Sequence, residues 1–443
     1  MSDLKDASDW LEQHEIEYVE LIVPDMAGMP RGKVQPVSDL SPKKFKLPVS
    51  IFGQTVTGDY YMPDDNVADR DMEIRPDLDT LRVVPWATRP TASVLTDCFD
   101  LQGKALCESP RYVLQKVLAH YAAEDWHPVV APEVEYYLAK ADPDAPGAGR
   151  VFDSEHEDIE ELVDPYGFDK VNDLGELFEQ LTEYCEIQNI KIGAVSQELG
   201  PGQFEINFDH GEPLKLADEV FHFKRTLKRV AQAHGLCASF IAKPDPEQAG
   251  SALHIHQSVY NGKQENIFAN KDGGNSALFE HYLGGLQAYM REMLLMFAPY
   301  ENSYRRFLSH FSSPINLEWG IDNRTTGLRV PESEAKARRV ENRLPGSDVN
   351  PYLAIAGTLA CGYLGMTKQS PVRDPIAESA YDVSFALYRH IYEAIDGFRG
   401  SEAVREMFGD EFVTTFSSVK EVEAREFQRR VPEWERGFML TTL

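Results

Sequence analysis

Apolar positions recur along the chain with two different periods, and the change of period divides it into elements. Over SPRYVLQKVLAHYAAE (109–124) they return every three to four residues, which predicts a helix with Ser109 as its N-cap and Pro110 in its first position. The same spacing predicts helices at 172–188, 214–234, 276–297 and 349–366, and a short amphipathic one at 3–14. Alternation with period two, or a short apolar run, predicts strands at IEYVELIVPD (16–25), LRVVPW (81–86) and ASVLTDCFD (92–100). The Gly/Pro-rich MAGMPRGK (26–33) reads as a turn, and ADPDAPGAGR (141–150) and DSEHEDIEELVD (153–164) as solvated surface. The pattern shifts between Lys104 and Arg111. We therefore expect an α+β protein with a small N-terminal domain over 1–105 and a larger one over 106–443.

Four predicted strands carry polar stripes. Residues i and i+2 of a strand share a face about 6–7 Å apart. Glu133 and Glu135 oppose Val134, Tyr136 and Leu138 in PEVEYYL; Gln203, Glu205 and Asn207 oppose Phe204, Ile206 and Phe208 in QFEINF. Glu198 precedes Glu205 by seven residues across a Gly-Pro-Gly turn. His254, His256 and Ser258 share a face in GSALHIHQSV, as do Arg339, Glu341 and Arg343 in RRVENRLP. Any one stripe is explained by the wet face of an antiparallel sheet. Together they supply acids, imidazoles and arginines without lysine. Such acids converge only where cations neutralise them, and oxygen-rich ligation with imidazole points to Mg²⁺ or Mn²⁺.

Composition narrows the ligand. Seven arginines (305, 306, 324, 329, 338, 339 and 343) fall within 39 residues, and guanidinium groups grip phosphate and carboxylate in pairs of hydrogen bonds. Divalent cations beside arginines imply a phosphorylated ligand, most simply a nucleotide; GxxxxGK[ST] is absent, so it is not held by a P-loop. The formal charge of −28 argues against nucleic-acid or anionic-membrane partners and would draw cationic substrates. The richest apolar run, MLLMFAP (293–299), falls short of the ~18 residues of a membrane span. Five scattered cysteines without CxxC spacing read as reduced core residues, and the polar, acidic start as lacking a leader, so a cytoplasmic location is expected.

These motifs carry a resemblance. PEVEYYL, QELGPGQFEINF, KPDPEQAGSALHIHQS, NSYRRF, DNRTTGLRVP, EAKARRVENRLPGSDVNPYLA and PEWERGF together make the chain resemble glutamine synthetases over nearly its full length. The resemblance implies a small N-terminal β-grasp domain and a catalytic domain with a funnel of antiparallel strands. It further implies a homo-oligomer, a dodecamer of two stacked hexameric rings with active sites between subunits. By the same resemblance, Glu135, Glu198 and Glu205 look like ligands of one metal, and Glu133, His254 and Glu341 of a second. Two or three divalent ions per site and ATP are implied as cofactors. Arg306, Arg343 and the backbone of Gly250 match positions that grip glutamate; Arg324 and Arg329 match those that hold the transferred phosphoryl group. His256, Ser258, Lys336 and Arg339 match nucleotide contacts.

The departures are informative. Where ammonia-using members carry a glutamate just before Ala-Pro, this chain has HFSSP, with Ser312 at the glutamate's position. Where their FDGSS-like motif has an Asp, IFGQTVTG (51–58) has Phe52. Ala249 replaces the Asn of an Asn-Gly-Ser-Gly motif, so a contact to glutamate is lost. A neutral pocket with an aromatic side chain suits an amine bearing a carbon tail. The pattern resembles the γ-glutamyl-amine ligase branch, which includes γ-glutamylpolyamine synthetases, and the expected partners are L-glutamate and a small organic amine, putrescine foremost. An ordinary glutamine synthetase, with Glu318 or an acid elsewhere swinging in as base, and a catalytically silent relative are the competing readings.

Overall fold

A computed structural model of the chain describes residues 4–41, 45–61, 68–141, 149–150, 165–440 and 442–443. The stretch at 153–164, read above as solvated surface, lies outside these residues, as does most of 141–150. The two ends of the latter are strand, with Ala141 paired to Gly149.

After a helix at Leu4–Gln13, the first sheet collects β1 (Tyr18–Pro24), β2 (Pro30–Pro36), β3 (Lys46–Pro48), β4 (Asp71–Pro76), β5 (Arg82–Val83) and β6 (Thr91–Phe99) in the order β2-β1-β6-β4-β3, with β5 also on β6. Its core is Val19, Leu21, Val23, Met72, Ile74, Val94 and Leu95, all buried. The expected turn at 26–33 is shorter: β2 already starts at Pro30. Proline is tolerated at the first residue of an edge strand because no ladder N–H is lost there. The turn is pinned by Asp25, whose Oδ1 accepts from Ala27 N and Met29 N while Arg31 Nε donates to Oδ2.

The second sheet has nine strands: β7 (Trp126–Ala141), β8 (Gly149–Arg150), β9 (Ile192–Gln197), β10 (Gln203–Phe208), β11 (Leu236–Ser239), β12 (Leu253–Asn261), β13 (Trp319–Ile321), β14 (Leu328–Val330) and β15 (Val340–Asn342). They run in the order β13-β14-β15-β12-β7-β10-β9, with β8 and β11 also on β7, all antiparallel except β13 with β14. The sheet curls into a nearly closed funnel with helices outside. This is the expected α+β architecture. Its outer face packs Val134, Tyr136, Phe204, Ile206, Leu253 and Ile255 against helices including Pro213–Ala233 and Pro351–Lys368.

Asn350 fastens the two sheets' surroundings together. Its Oδ1 caps the helix Pro351–Lys368 by accepting from Tyr352 N and Leu353 N, and its Nδ2 donates to Asp25 O. Arg111, only 1% exposed, bridges Asp77 and Asp97 of the first sheet's surroundings to Asp218 on the helix Pro213–Ala233. Such a buried cation is tolerated because three carboxylates surround it.

Two helix expectations need correction. The segment 276–297 breaks into Ala277–Tyr289 and Leu294–Phe297. Every residue from Met293 to Ala298 is buried, so its apolar spacing could not distinguish helix from turn. The segment 172–188 likewise divides into Asp169–Asp173 and Gly175–Ile187. Ser109 stands at the N-cap position of Pro110–Ala123 without a side-chain capping bond. No described helix is long and apolar enough to cross a membrane. Cys98, Cys185 and Cys361 are buried, Cys107 and Cys237 half-buried, and all five are free.

Candidate active site

Strand register brings the polar stripes together. Glu205 pairs with Glu135 and Asn207 with Glu133 across β10 and β7; His254 pairs with Glu133 across β12 and β7. Glu341 pairs with His256 on one side of β15 and with Arg329 on the other. Directly opposed residues hold their Cβ atoms about 5 Å apart, so residues far apart in sequence become one polar wall. The cavity they line measures about 450 Å³. It takes in Glu133, Glu135, Glu198, Glu205, His254 and Glu341, the six predicted ligands. Arg306, Arg324, Arg329, Arg343, Gly250 and Ser312 line it as well.

The five carboxylates fall into two electrical groups. Glu341 is fully buried, yet Arg343 (2.5 Å), Arg329 (2.9 Å) and His254 (3.5 Å) surround it. Burial raises its pKa, but Arg343 and the two histidines outweigh burial and hold it at about 2. Glu133 is likewise held well below the usual carboxylate range: burial opposes this, and bonds from His254 and His256 (3.0 Å for His256) overcome it. In contrast, burial and then the charge of Glu198 push Glu135 up to about 8. Burial and then Glu133 push Glu198 to about 7, and burial with Glu133, Glu135 and Glu198 pushes Glu205 to about 9. The nearby arginines do not offset burial for Glu135 and Glu198, nor does the Asn207 amide for Glu205, which is the chemistry of a divalent-cation site.

Two sets of donor atoms lie within 4.8 Å of one another: Glu133 with Glu205 and His254, and Glu133 with His256 and Glu341. Burial and then Arg343 lower the His254 pKa, keeping its imidazole neutral as a metal ligand must be. The residues therefore fit divalent metal, with Glu133 common to both sets. His256, expected at the nucleotide, stands in one of these sets. It also lines a second cavity of about 480 Å³ with Ser258, Lys336, Arg339 and Tyr260, so the four predicted nucleotide contacts gather there. His256 thus touches both spaces.

Gly250 is required by close approach: a Cβ there would stand 2.6 Å from Ala242 O and 2.7 Å from Arg306 Cγ. Arg306 is buried, donating to Leu344 O (3.0 Å) and Arg343 O (2.7 Å). Arg343 Nη2 donates to Ser312 O (3.2 Å), tying the HFSSP loop to the wall. Arg324 makes no ion pair among the described residues. Glu318 is held by Arg373 at 3.0 Å and does not line the cavity. Phe52 is not brought to the cavity: it is 1% exposed in the core around the first sheet, on the short helical turn Val49–Gly53. An apolar ring flanked by that core's side chains is buried with them rather than offered to a ligand.

Sequence reasoning missed Gln203 and Asn207 as site residues, although they stand in the QFEINF stripe. Gln203 donates to Glu135 (3.4 Å) and Gly250 O (3.1 Å), and Asn207 to Glu205 (3.1 Å). It also missed Phe311 and Tyr166, which line the cavity from loops where no periodicity marks them.

An acid-and-imidazole wall with arginines around one cavity, inside a curled and largely antiparallel sheet, is a set of groups suited to a divalent cation and an anionic ligand. Residues 107–439 match the family model described as glutamine synthetase, catalytic domain. The chain is 33% identical to the glutamate–isopropylamine ligase of a Pseudomonas species over 96% of its own length and 95% of the relative's. It is 30% identical to γ-glutamylputrescine synthetase PuuA of Escherichia coli K12 (96% and 92%) and 28% identical to the glutamine synthetase of Methanocaldococcus jannaschii (98% and 97%). The solved structure of ligand-free GmaS superposes with a TM-score of 0.84 at 27% identity, covering all of both chains. This chain belongs to the glutamine synthetase family. It is an ATP-dependent carbon–nitrogen ligase of that family.

Proposed function

We propose that this chain joins the γ-carboxylate of L-glutamate to a primary organic amine. The terminal phosphoryl group of ATP passes to a γ-carboxylate oxygen, giving ADP and γ-glutamyl phosphate. The amine nitrogen then attacks the acyl carbon, phosphate leaves, and the nitrogen loses a proton, giving the γ-glutamyl amide. The observation that carries this reading is a cavity walled by five glutamates and four arginines whose HFSSP loop offers no carboxylate beside Ser312. If all five lining glutamates serve cations, and with Glu318 engaged by Arg373 outside the cavity, the ammonium ion has no described acid of its own.

In this reading Glu135, Glu198 and Glu205 hold one divalent cation, and Glu133, His254 and Glu341 another. When bound, these ions neutralise the phosphate oxygens. Arg324 and Arg329 hold the phosphoryl group in transit, where developing charge is stabilised by preplaced cations. Arg306, Arg343 and Gly250 orient glutamate; His256, Ser258, Lys336 and Arg339 take the nucleotide. Residues 1–105 form the small domain and 106–443 the catalytic one, assembled as a ring, with a dodecamer as the form to test.

Putrescine and other polyamines head the acceptors, because a chain of charge −28 draws a dication; isopropylamine and ethanolamine follow. Phosphate release with ATP, Mg²⁺ and glutamate across an amine panel tests the reading. A higher kcat/KM for ammonium than for every organic amine would return the chain to glutamine synthesis.

A further inference from the structure

We infer that Phe311 determines specificity for the acceptor, selecting amines that carry an alkyl chain; this rests on the amine-ligase reading above. Phe311 lines the cavity at 41% exposure, whereas its neighbours Tyr304 and Phe307 are 8% and 5% exposed. Phe311 and Ser312 both adopt left-handed backbone (φ 55° and 53°), a conformation disfavoured for residues with a Cβ and doubly so in succession.

The loop is held there at two points. Arg343 donates to Ser312 O, and the Ser313 hydroxyl donates to Arg306 O. On the ring itself, the Lys243 ammonium lies 5.1 Å from the centroid, and the His310 ring lies 4.5 Å away at 57°. A strained backbone anchored at Arg343 and Arg306 therefore presents an apolar ring to a cavity that five glutamates and four arginines also line. Tyr166, 67% exposed and also left-handed (φ 65°), is the other aromatic of the lining. Such rings offer a ligand two things, burial of carbon and the attraction of their faces for a cation. A primary alkylammonium uses both, and the ammonium ion has no carbon to bury. The acceptor class is thus a short-chain primary alkylamine, with or without a distal polar group.

The test is a homologous series, methylamine to n-butylamine, run beside ammonium on the full-length enzyme with ATP, Mg²⁺ and glutamate. Wild-type kcat/KM should rise by up to about four-fold per added methylene. Phe311→Ala should flatten that slope, through KM rather than kcat, and lower the butylamine-to-ammonium ratio about ten-fold. Phe311→Leu, which keeps apolar bulk in the same loop, should restore most of the slope. A purely structural role would lower all rates together and leave the slope intact, and that result overturns the inference. An amine-preferring wild type whose slope is the same in Phe311→Ala overturns only the role of Phe311. A wild type that prefers ammonium overturns the amine-ligase reading and this inference with it.

Discussion

The funnel wall and its mouth are built on different principles. On the wall, β7, β10, β12 and β15 set each side chain by pairing register, so Glu133, Glu205, His254 and Glu341 have little freedom to be elsewhere. At the mouth, Phe311 and Ser312 sit on a loop with unfavourable backbone angles, held by Arg343 beside the wall and by the Ser313 bond to the Arg306 backbone. Chemistry common to a whole family can rest on a ladder, because it must not vary. The choice of acceptor can rest on a loop, because a loop changes without disturbing the ladder.

Removing a wall charge should produce the largest effect. Glu341→Ala leaves Arg343 and Arg329 facing an empty place, and breaking a buried ion pair from one side costs about 3–5 kcal/mol. Turnover should fall at least about 100-fold, as when a preplaced electrostatic group is lost. Phosphate release and thermal unfolding measure the two; undiminished turnover would remove Glu341 from the metal site.

Metal depletion sharpens the contrast within the wall. Glu135, Glu198 and Glu205 have folded pKa values raised to about 8, 7 and 9, above the unfolded value near 4.5. The folded state therefore binds protons that the unfolded state has released, and stability must fall as pH rises from about 4.5 to 9. Chelated enzyme should lose Tm steadily between pH 6 and 9, and excess Mg²⁺ or Mn²⁺ should flatten that slope. A chelated enzyme with a flat profile would mean that the three acids do not share a site.

At the mouth, Ser312→Glu should move preference toward ammonium by about ten-fold, worth about 1.4 kcal/mol for a new charged hydrogen bond. Competition between ammonium and an organic amine reads this directly, and no relative gain for ammonium would count against the pocket argument. The smallest effect belongs to Phe52→Leu, a buried swap costing about 1 kcal/mol of stability. The acceptor ratio should not change, and a shift would return Phe52 to the amine pocket.

Much of the wall is legible in the linear sequence. Parity along PEVEYYL, QFEINF, GSALHIHQSV and RRVENRLP assigns each polar residue to a face, because strand geometry leaves only two faces to choose from. Gln203 and Asn207 stand in the same parity, but their amides give a quieter signal than acids do. Phe52 shows the limit. A position matched along a motif says nothing of whether a ring faces a ligand or its own core.

What the linear order of residues determined was therefore local: strand faces, helix starts such as Ser109–Pro110, and a mouth loop without an acid. Tertiary structure alone decided that hydrogen-bonding histidines at Glu133 and arginines at Glu341 keep these two acids ionised while burial wins at Glu135, Glu198 and Glu205, and that Phe311 rather than Phe52 reaches the cavity. Side-chain parity is a property of neighbouring bonds. Electrostatic pairing and exposure depend on distances between segments remote in sequence, and only packing sets those.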